Sequence, residues 1–211
     1  MPMFNIHRMA LIFKYRYEQV PSIQIVSSSH LDLGEIELPA KGTRIELVYK
    51  PASNKRYLLG NPYCLNFLSQ DGASDFSLQL MTPTYTKHRF NISEKSVTTP
   101  EGSYFFNKNT FIIERISQEE TRFSIPEENI HETINCVNAP TKGFLQLFSQ
   151  TSTGSYSTVG LVYSFKIFQD NKLILDLVPA VRKPDLKVGF IDTLTNTFYK
   201  SNGKNSFLRG E

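Results

Sequence analysis

Two glutamates, Glu35 and Glu37, are the nearest approach to a catalytic motif in this sequence. They stand two residues apart in the run from Gly34 to Leu38, so in a β-strand both carboxylates would point to the same side. Some β-sandwich glycosidases use such a pair in the pattern E-x-D-x-x-E, with the two catalytic carboxyl groups about 5 Å apart. Here the last position of that pattern is Ala40, so the acid/base residue is missing. The sequence therefore predicts a solvated strand face and no catalytic residue, and a glycoside hydrolase is the least favoured function.

Motifs for nucleophilic catalysis and for phosphate binding are also missing from the sequence. The chain contains no G-x-S-x-G elbow. The polar stretch 151–158 contains Gly154 and is followed closely by Gly160, but it has no lysine and no helical pattern after it, both of which a phosphate-binding loop requires. This composition is typical of a connection between strands. We expect that the protein is not an enzyme.

The cysteines and histidines, which are the usual zinc ligands, are scattered along the chain. The two cysteines, Cys64 and Cys136, are far apart, and neither belongs to a C-x-x-C motif. Small secreted scaffolds carry many more cysteines, so two buried free thiols are favoured over a single disulfide, which stays the alternative. The histidines form no H-x-H or H-E-x-x-H pair, and the sequence predicts no zinc site; they are His7, His30, His88 and His131.

Calcium is the one cation for which the sequence offers clustered oxygen ligands. Asp71 and Asp75 stand within a single predicted loop. A calcium ion needs about six to eight oxygen ligands, more than two carboxylates supply. An ordinary Asp-Gly turn is therefore favoured and no cofactor is expected, with calcium at Asp71 and Asp75 as the alternative.

Tyrosine side chains are the best candidates for contact with a sugar or a partner protein. Aromatic rings stack on sugars, but the chain has no tryptophan, which offers the best π-face. Core packing or protein–protein contact explains these tyrosines equally well. The candidates at or near predicted loops and strand ends are Tyr57, Tyr63, Tyr85, Tyr104 and Tyr156.

Apolar and polar residues alternate along nearly the whole chain, which predicts that β-strands position the candidate residues. With 40% apolar and 20% charged residues, the 211-residue chain is not intrinsically disordered. About twelve to fourteen short strands predict an all-β protein, a two-sheet antiparallel sandwich with at most one short helix. The predicted strands are 22–26, 43–49, 56–59, 64–68, 76–81, 88–92, 104–106, 110–116, 121–125, 144–148, 162–168, 172–178, 188–192 and 197–200.

Turn residues define two hairpins in the C-terminal third of the chain. Residues 169–171, Gln-Asp-Asn, join the first pair of strands, and Asp and Asn tolerate the positive φ of a tight turn. Residues 193–196 join the second pair. Pro179 and Pro184 have no N–H for a strand ladder, so we expect both in the connection between the hairpins.

One segment, Pro126 to Ile134, is a helix candidate. Proline suits the first turn of a helix, and Glu127 and Glu128 are favourable near a helix N-terminus. The segment is short, so a turn is the alternative.

Residues 1–20 are predicted to form an N-terminal strand or arm outside the domain, which spans residues 21–211. The apolar run from Met9 is five residues long, shorter than the roughly 7–15 residues of a signal sequence. Phe13, Tyr15 and Tyr17 alternate with charged residues, which is the period of a strand, and such an arm suits strand addition to a neighbouring subunit. Nothing in the chain approaches the roughly 18 apolar residues of a membrane span.

The C-terminal strands resemble a known family. The runs 162–168, 173–180, 188–192 and 196–203 are similar to the end of laminin-G-like, concanavalin A-like jelly-roll domains found in bacteriophage virion proteins and bacterial surface proteins. There the pattern is Y-x-F-K-I-Y, R-D-L-V-P, R-K-x-D-G, a G-hydrophobic-Y/F-D strand and an F-Y strand before a G-T-G-x-F tail. Departures are Leu175 in place of arginine and residues 184–187 in place of Asp-Gly. The resemblance implies the fold and transfers no binding site.

We expect a non-enzymatic structural component of a virus particle, a bacteriophage capsid decoration, fibre or baseplate part. It would be assembled in the host cytoplasm, and its partners would be other virion proteins or further copies of itself, with a host-surface glycan as a further ligand. The net charge of +3 is too small to predict nucleic-acid binding. The alternative is a secreted or surface carbohydrate-binding, lectin-like module, extracellular or at the cell surface.

Overall fold

A computed structural model describes residues 16–26, 28–52, 63–69, 74–80, 87–92, 95–100, 106–138, 140–148 and 159–211; of residues 63–69, 74–80, 88 and 141 only the backbone is described. Seventeen strands lie in these ranges. They are β1 Tyr17–Gln19, β2 Ile23–Ile25, β3 Leu31–Leu38, β4 Thr43–Pro51, β5 Tyr63–Ser69, β6 Ser74–Leu80, β7 His88–Ile92, β8 Lys95–Thr98, β9 Asn109–Arg115, β10 Glu120–Ile125, β11 Ile130–Asn135, β12 Thr141–Leu147, β13 Gly160–Gln169, β14 Lys172–Arg182, β15 Lys187–Asp192, β16 Phe198–Tyr199 and β17 Leu208–Arg209. No helix in the described ranges has the length and apolar character needed to cross a membrane.

The strands form two antiparallel sheets. The larger sheet has the order β11-β10-β9-β4-β13-β14-β15-β16, with β1, β2 and β17 attached beside it. The smaller sheet has the order β3-β12-β5-β6-β7-β8. The predicted all-β sandwich is therefore confirmed.

The core lies between the two sheets, and strict alternation of side chains produces it. In β4 the residues Ile45, Leu47 and Tyr49 are buried, while those between them are half-buried. Phe90 of the smaller sheet stacks on Phe123 of the larger one, with ring centroids 5.4 Å apart and planes 10° apart. Because both rings are fully buried, this pair joins the two layers directly.

The predicted hairpin between β13 and β14 is confirmed. Its loop is the pair Asp170 and Asn171, with φ values of 48° and 63°. Positive φ at both central positions is the geometry of the two-residue turn that matches the twist of paired strands. The Asp170 amide also donates to the Gly42 carbonyl at 2.9 Å, which ties this turn to the start of β4.

The helix candidate for 126–134 is wrong, and the alternative of a turn holds only for its first residues. Residues Pro126–Glu128 form a single 3-10 turn, and the rest of the segment is the edge strand β11. Asn129 ends the turn with φ 54°, and its amide donates to the Pro126 carbonyl. Ile130 and Ile134 are buried, and pairing with β10 supplies the backbone hydrogen bonds that a helix would have supplied.

The prediction for Pro179 is also wrong, whereas Pro184 lies in the turn after β14 as expected. Pro179 is inside β14, where the pairing with β13 has ended at Leu177 and that with β1 begins at Ala180. The Pro179 carbonyl accepts the Val20 amide at 3.1 Å. A residue without N–H is tolerated there because β13 has already separated from β14 on that side.

The two N-terminal strands, β1 and β2, occupy the space that opens where β13 and β14 separate. β1 pairs with the end of β14, and β2 pairs with the start of β13. Ile23 and Ile25 are fully buried in the core, and Val20 is nearly so. Residues 16–20, the described part of the predicted arm, therefore lie in the sheet of their own chain.

Candidate functional site

The two sequence-motif glutamates lie on an exposed part of β3. Glu35 forms an ion pair with Lys142 of the neighbouring β12, and this hydrogen bond raises the pKa of the lysine. Glu37 is exposed, and its backbone carbonyl accepts a hydrogen bond from Gln169 Nε2 at 3.0 Å. The carboxylate of Glu35 is thus paired with a cation at the surface.

Most of the predicted contact residues lie outside the described residues. This applies to Tyr57, Tyr85, Tyr104 and Tyr156, to Phe13 and Tyr15 of the arm, and to Asp71 of the calcium alternative. Tyr63 and Asp75 belong to β5 and β6, for which the backbone course alone is described. In the described ranges no three His, Cys, Asp or Glu side chains form a group that could hold a metal ion.

Tyr17 and Cys136 are the two remaining predicted residues with described side chains. Tyr17 stacks on Phe198 of its own chain, with centroids 5.6 Å apart. Cys136 is a buried free thiol whose sulfur lies 3.6 Å from Thr121 Oγ1 and from Asn138 Oδ1. Tyr17 thus contributes to packing within the chain, and its role in an assembly arm stays a prediction.

A cavity in the described part of the chain opens at one end of the larger sheet. Its volume is about 640 Å³, within the range typical of small-molecule sites. Three of its lining residues form a row across three strands, since Leu161 of β13 pairs with Lys50 of β4 and with Gln24 of β2. The lining residues are Gln24, Lys50, Pro51, Ala52, Phe106, Val159, Gly160, Leu161, Arg209, Gly210 and Glu211.

A glycine and a buried hydroxyl fix the backbone at the bottom of this cavity. Tyr49 Oη donates to the Val159 carbonyl at 2.7 Å. A Cβ on Gly160 would lie only 2.5 Å from the same Tyr49 oxygen and would also collide with the Lys50 carbonyl. Only glycine therefore lets β13 approach β4 this closely.

Charged groups of both signs surround the cavity. Arg209 forms an ion pair with Glu18 at 2.9 Å, whereas Lys50 makes no ion pair within the described part of the chain. On the neighbouring strand surface Lys108 Nζ lies 4.0 Å above the Tyr163 ring. Burial, and to a lesser degree the charge of Glu211, raises the pKa of Tyr163, so this hydroxyl is a hydrogen-bond donor at neutral pH.

This row of residues has no signal in the sequence. Gln24, Lys50, Leu161 and Arg209 come from four strands that are distant along the chain, and only the strand register places them together. Three candidate tyrosines belong to segments that join the described chain at cavity residues. The segment with Tyr57 follows Ala52, that with Tyr104 precedes Phe106, and that with Tyr156 precedes Val159.

Comparisons with known proteins identify the fold. No family model and no curated protein matches the sequence. Among solved structures, the native heptameric SAP-like pentraxin from Limulus polyphemus is similar, with TM-score 0.50 and 9% identity, covering 72% of this chain and 74% of that one. The full extracellular region of zebrafish Gpr126/Adgrg6 is similar with TM-score 0.54 and 10% identity, over 90% of this chain and 26% of that one.

A laminin structure is also similar to this chain. The LG1-3 region of the laminin α2 chain is similar with TM-score 0.53 and 14% identity, over 75% of this chain and 29% of that one. The chain thus spans between a quarter and a third of the zebrafish and laminin structures. Its fold is a concanavalin A-like jelly roll of the laminin-G and pentraxin type, as the sequence resemblance implied.

Proposed function

We propose that this protein is a non-enzymatic carbohydrate-binding module of the lectin type, which holds a sugar in the cavity at the end of the larger sheet. The observation that carries the proposal is the cavity itself, with its row of Lys50, Leu161 and Gln24. Jelly-roll sandwiches serve as lectin domains and as viral capsid domains, so the fold is compatible with this use.

The chemistry of the lining residues suits a sugar. Gln24 offers an amide that both donates and accepts, and Lys50 and Arg209 are hydrogen-bond donors for hydroxyl oxygens. Leu161 and Phe106 provide apolar surface for the C–H face of a sugar ring. A few polar groups that fix orientation, set in an apolar wall, are the usual composition of a small-ligand site.

A glycan array followed by calorimetric titration of each hit tests this proposal. We expect Lys50→Ala to weaken binding by at least about tenfold, the loss of roughly one charged hydrogen bond, and Gln24→Ala to weaken it by about fivefold, the loss of roughly one neutral hydrogen bond. Lys172→Ala is the matched control, because Lys172 is an exposed lysine at the start of β14, beside the far end of β13 and about 30 Å away. The proposal is refuted if the folded protein binds no glycan, or if the cavity variants bind as well as the control.

A second role, in a virus particle, is favoured by the likeness of residues 162–203 to the jelly-roll domains of bacteriophage virion proteins. In this role the module attaches particles to host-surface glycans, is assembled in the host cytoplasm and has virion proteins as partners. Purified particles that contain the chain would support it. Deletion of residues 1–15, which removes none of the described strands, should then abolish incorporation while the protein still unfolds cooperatively in urea. Unchanged incorporation would contradict a role for the N-terminal arm.

A further inference from the structure

Leu186 has an unusual environment for a large apolar residue. It lies in the turn between β14 and β15, and 75% of its surface is exposed. Its φ is 54°, in the left-handed region that favours glycine or asparagine. Neither burial nor backbone preference therefore explains a leucine at this position, and such a residue points to a function.

The turn that carries Leu186 is held rigidly. Arg182 donates two hydrogen bonds to Asp185, at 2.9 Å from Nε to Oδ1 and 2.6 Å from Nη2 to Oδ2. The Lys187 amide also donates to Asp185 Oδ1, at 3.4 Å. The Arg182 guanidinium lies 5.0 Å above the Phe198 ring. The exposed leucine is thus presented by a fixed support, which reduces the entropy lost when a partner binds.

A groove of about 530 Å³ lies beside Leu186. Val188 and Phe207 line it together with Leu208, which is 49% exposed. Lys187 and Lys200 also line the groove, and none of its lining residues is acidic. The exposed Lys204 lies in the loop between two further lining residues, Ser201 and Ser206.

We infer that this groove docks an acidic peptide segment of another protein, which inserts an apolar side chain between Leu186 and Leu208. The apolar walls receive the anchor. Lys187 already forms an ion pair with Asp185, at 3.5 Å, so the lysines that face the partner's carboxylates are Lys200 and Lys204, which make no ion pair in the described part of the chain. Residues 1–15 of this chain are a poorer occupant, because they contain three basic or histidine side chains and no acidic one. The inference does not depend on the proposed function, since the groove and the sugar cavity have no lining residue in common.

Fluorescence anisotropy with a labelled synthetic peptide, glutamates flanking a central Leu-Phe pair, tests the inference on the full chain. We expect saturable binding that Leu186→Asn and Lys200→Glu each weaken by about tenfold or more. Asparagine accepts the left-handed backbone of position 186, so the first variant keeps the turn. Val137→Asn is the matched control, because Val137 is an apolar loop residue with 82% of its surface exposed. This variant should bind the peptide as tightly as the wild type does.

Three outcomes would overturn the inference. The first is no binding of the acidic peptide by a folded protein. The second is equal binding of a peptide whose central pair is Ser-Ser, which would show attraction by charge alone. The third is Leu186-dependent sedimentation with phosphatidylglycerol vesicles in the absence of peptide binding, which would assign the groove to a membrane surface. Loss of glycan binding in Lys50→Ala with intact peptide binding would separate the two sites.

Discussion

The stack of Phe90 on Phe123 allows a quantitative test of how the two sheets are held together. Replacing either ring by leucine removes about three buried carbon atoms, and at ~0.8 kcal/mol for each buried carbon this lowers the free energy of unfolding by about 2 kcal/mol. Aromatic pairs contribute about 0.5–1.5 kcal/mol beyond area burial. Each single variant loses that contribution and the double variant loses it only once, so the double variant should be less destabilised than the sum of the two.

Urea unfolding of the wild type, Phe90→Leu, Phe123→Leu and the double variant, followed by circular dichroism, measures these quantities. The leucine variants keep most of the side-chain volume, so folding should survive within the typical stability of about 5–15 kcal/mol. Phe144→Leu, at a phenylalanine that is 45% exposed, is the control and should change the free energy of unfolding by less than about 0.5 kcal/mol. Additive single effects, or effects no larger than that of the control, would refute direct packing between the layers.

Three further perturbations test local features. Asn171→Gly should raise the free energy of unfolding by about 0.5–1 kcal/mol in urea, because glycine adopts the φ of 63° in the β13–β14 turn without strain. Leu186→Gly should stabilise by about 1 kcal/mol, a rise of about 2–4 °C in a thermal melt, since the exposed side chain contributes little to the core. Burial raises the pKa of Glu127, but hydrogen bonds from Thr110 and from its own backbone, together with the charge of Lys108, lower it below its ordinary value. The stability that this carboxylate gives is therefore complete above its unfolded pKa of about 4.3 and is lost as the pH falls through the lower folded value. Glu127→Gln should accordingly be less stable than the wild type at pH 7, with the difference shrinking below pH ~4 in urea titrations at a series of pH values.

Local patterns predicted the strands that are long and amphipathic. In β4 the alternation is strict, in β13 it is interrupted only by a bulge between Val162 and Ser164, and the Asp170 and Asn171 pair carries its turn geometry in its residue types. β11 could not be recognised in the same way, because a proline followed by two glutamates is the composition of a helix start. Pairing with β10 makes the segment Ile130–Asn135 a strand. A local sequence pattern contains no information about that long-range contact.

Short strands escaped prediction for a related reason. β8 and β17 have no buried residue, and β17 has two residues in all, so neither shows a period that could be read. The prediction for Pro179 failed for the opposite reason. Its local signal was clear, because a missing N–H argues against a strand, but the residue lies in one. What permits it is the separation of β13 from β14, a property of the whole sheet.

The candidate sites were hidden for the same physical reason. Side chains from β2, β4, β13 and β17 line the cavity, and each looks like an ordinary strand residue in isolation. Most of the tyrosines chosen from the sequence lie outside the described residues, and they were chosen because residue type next to a predicted loop or strand end suggested exposure. Predicting the cavity from the sequence would therefore require the strand register, and the register depends on the topology of the whole fold.

The two proposed surfaces meet at β17, a two-residue strand of the larger sheet that follows the buried Phe207. Leu208 lines the groove and Arg209 lines the cavity, and both side chains are exposed, so burial holds this strand only weakly. Polar contacts hold it instead, namely the 3.0 Å hydrogen bond from the Gly210 amide to the Ser22 carbonyl and the ion pair of Arg209 with Glu18. β2 pairs with it in the same sheet, and Ile23 and Ile25 of β2 are fully buried in the core. Recognition residues on a weakly packed strand beside a rigid neighbour can adjust to ligands at little cost to the fold, which is why binding sites collect at such positions.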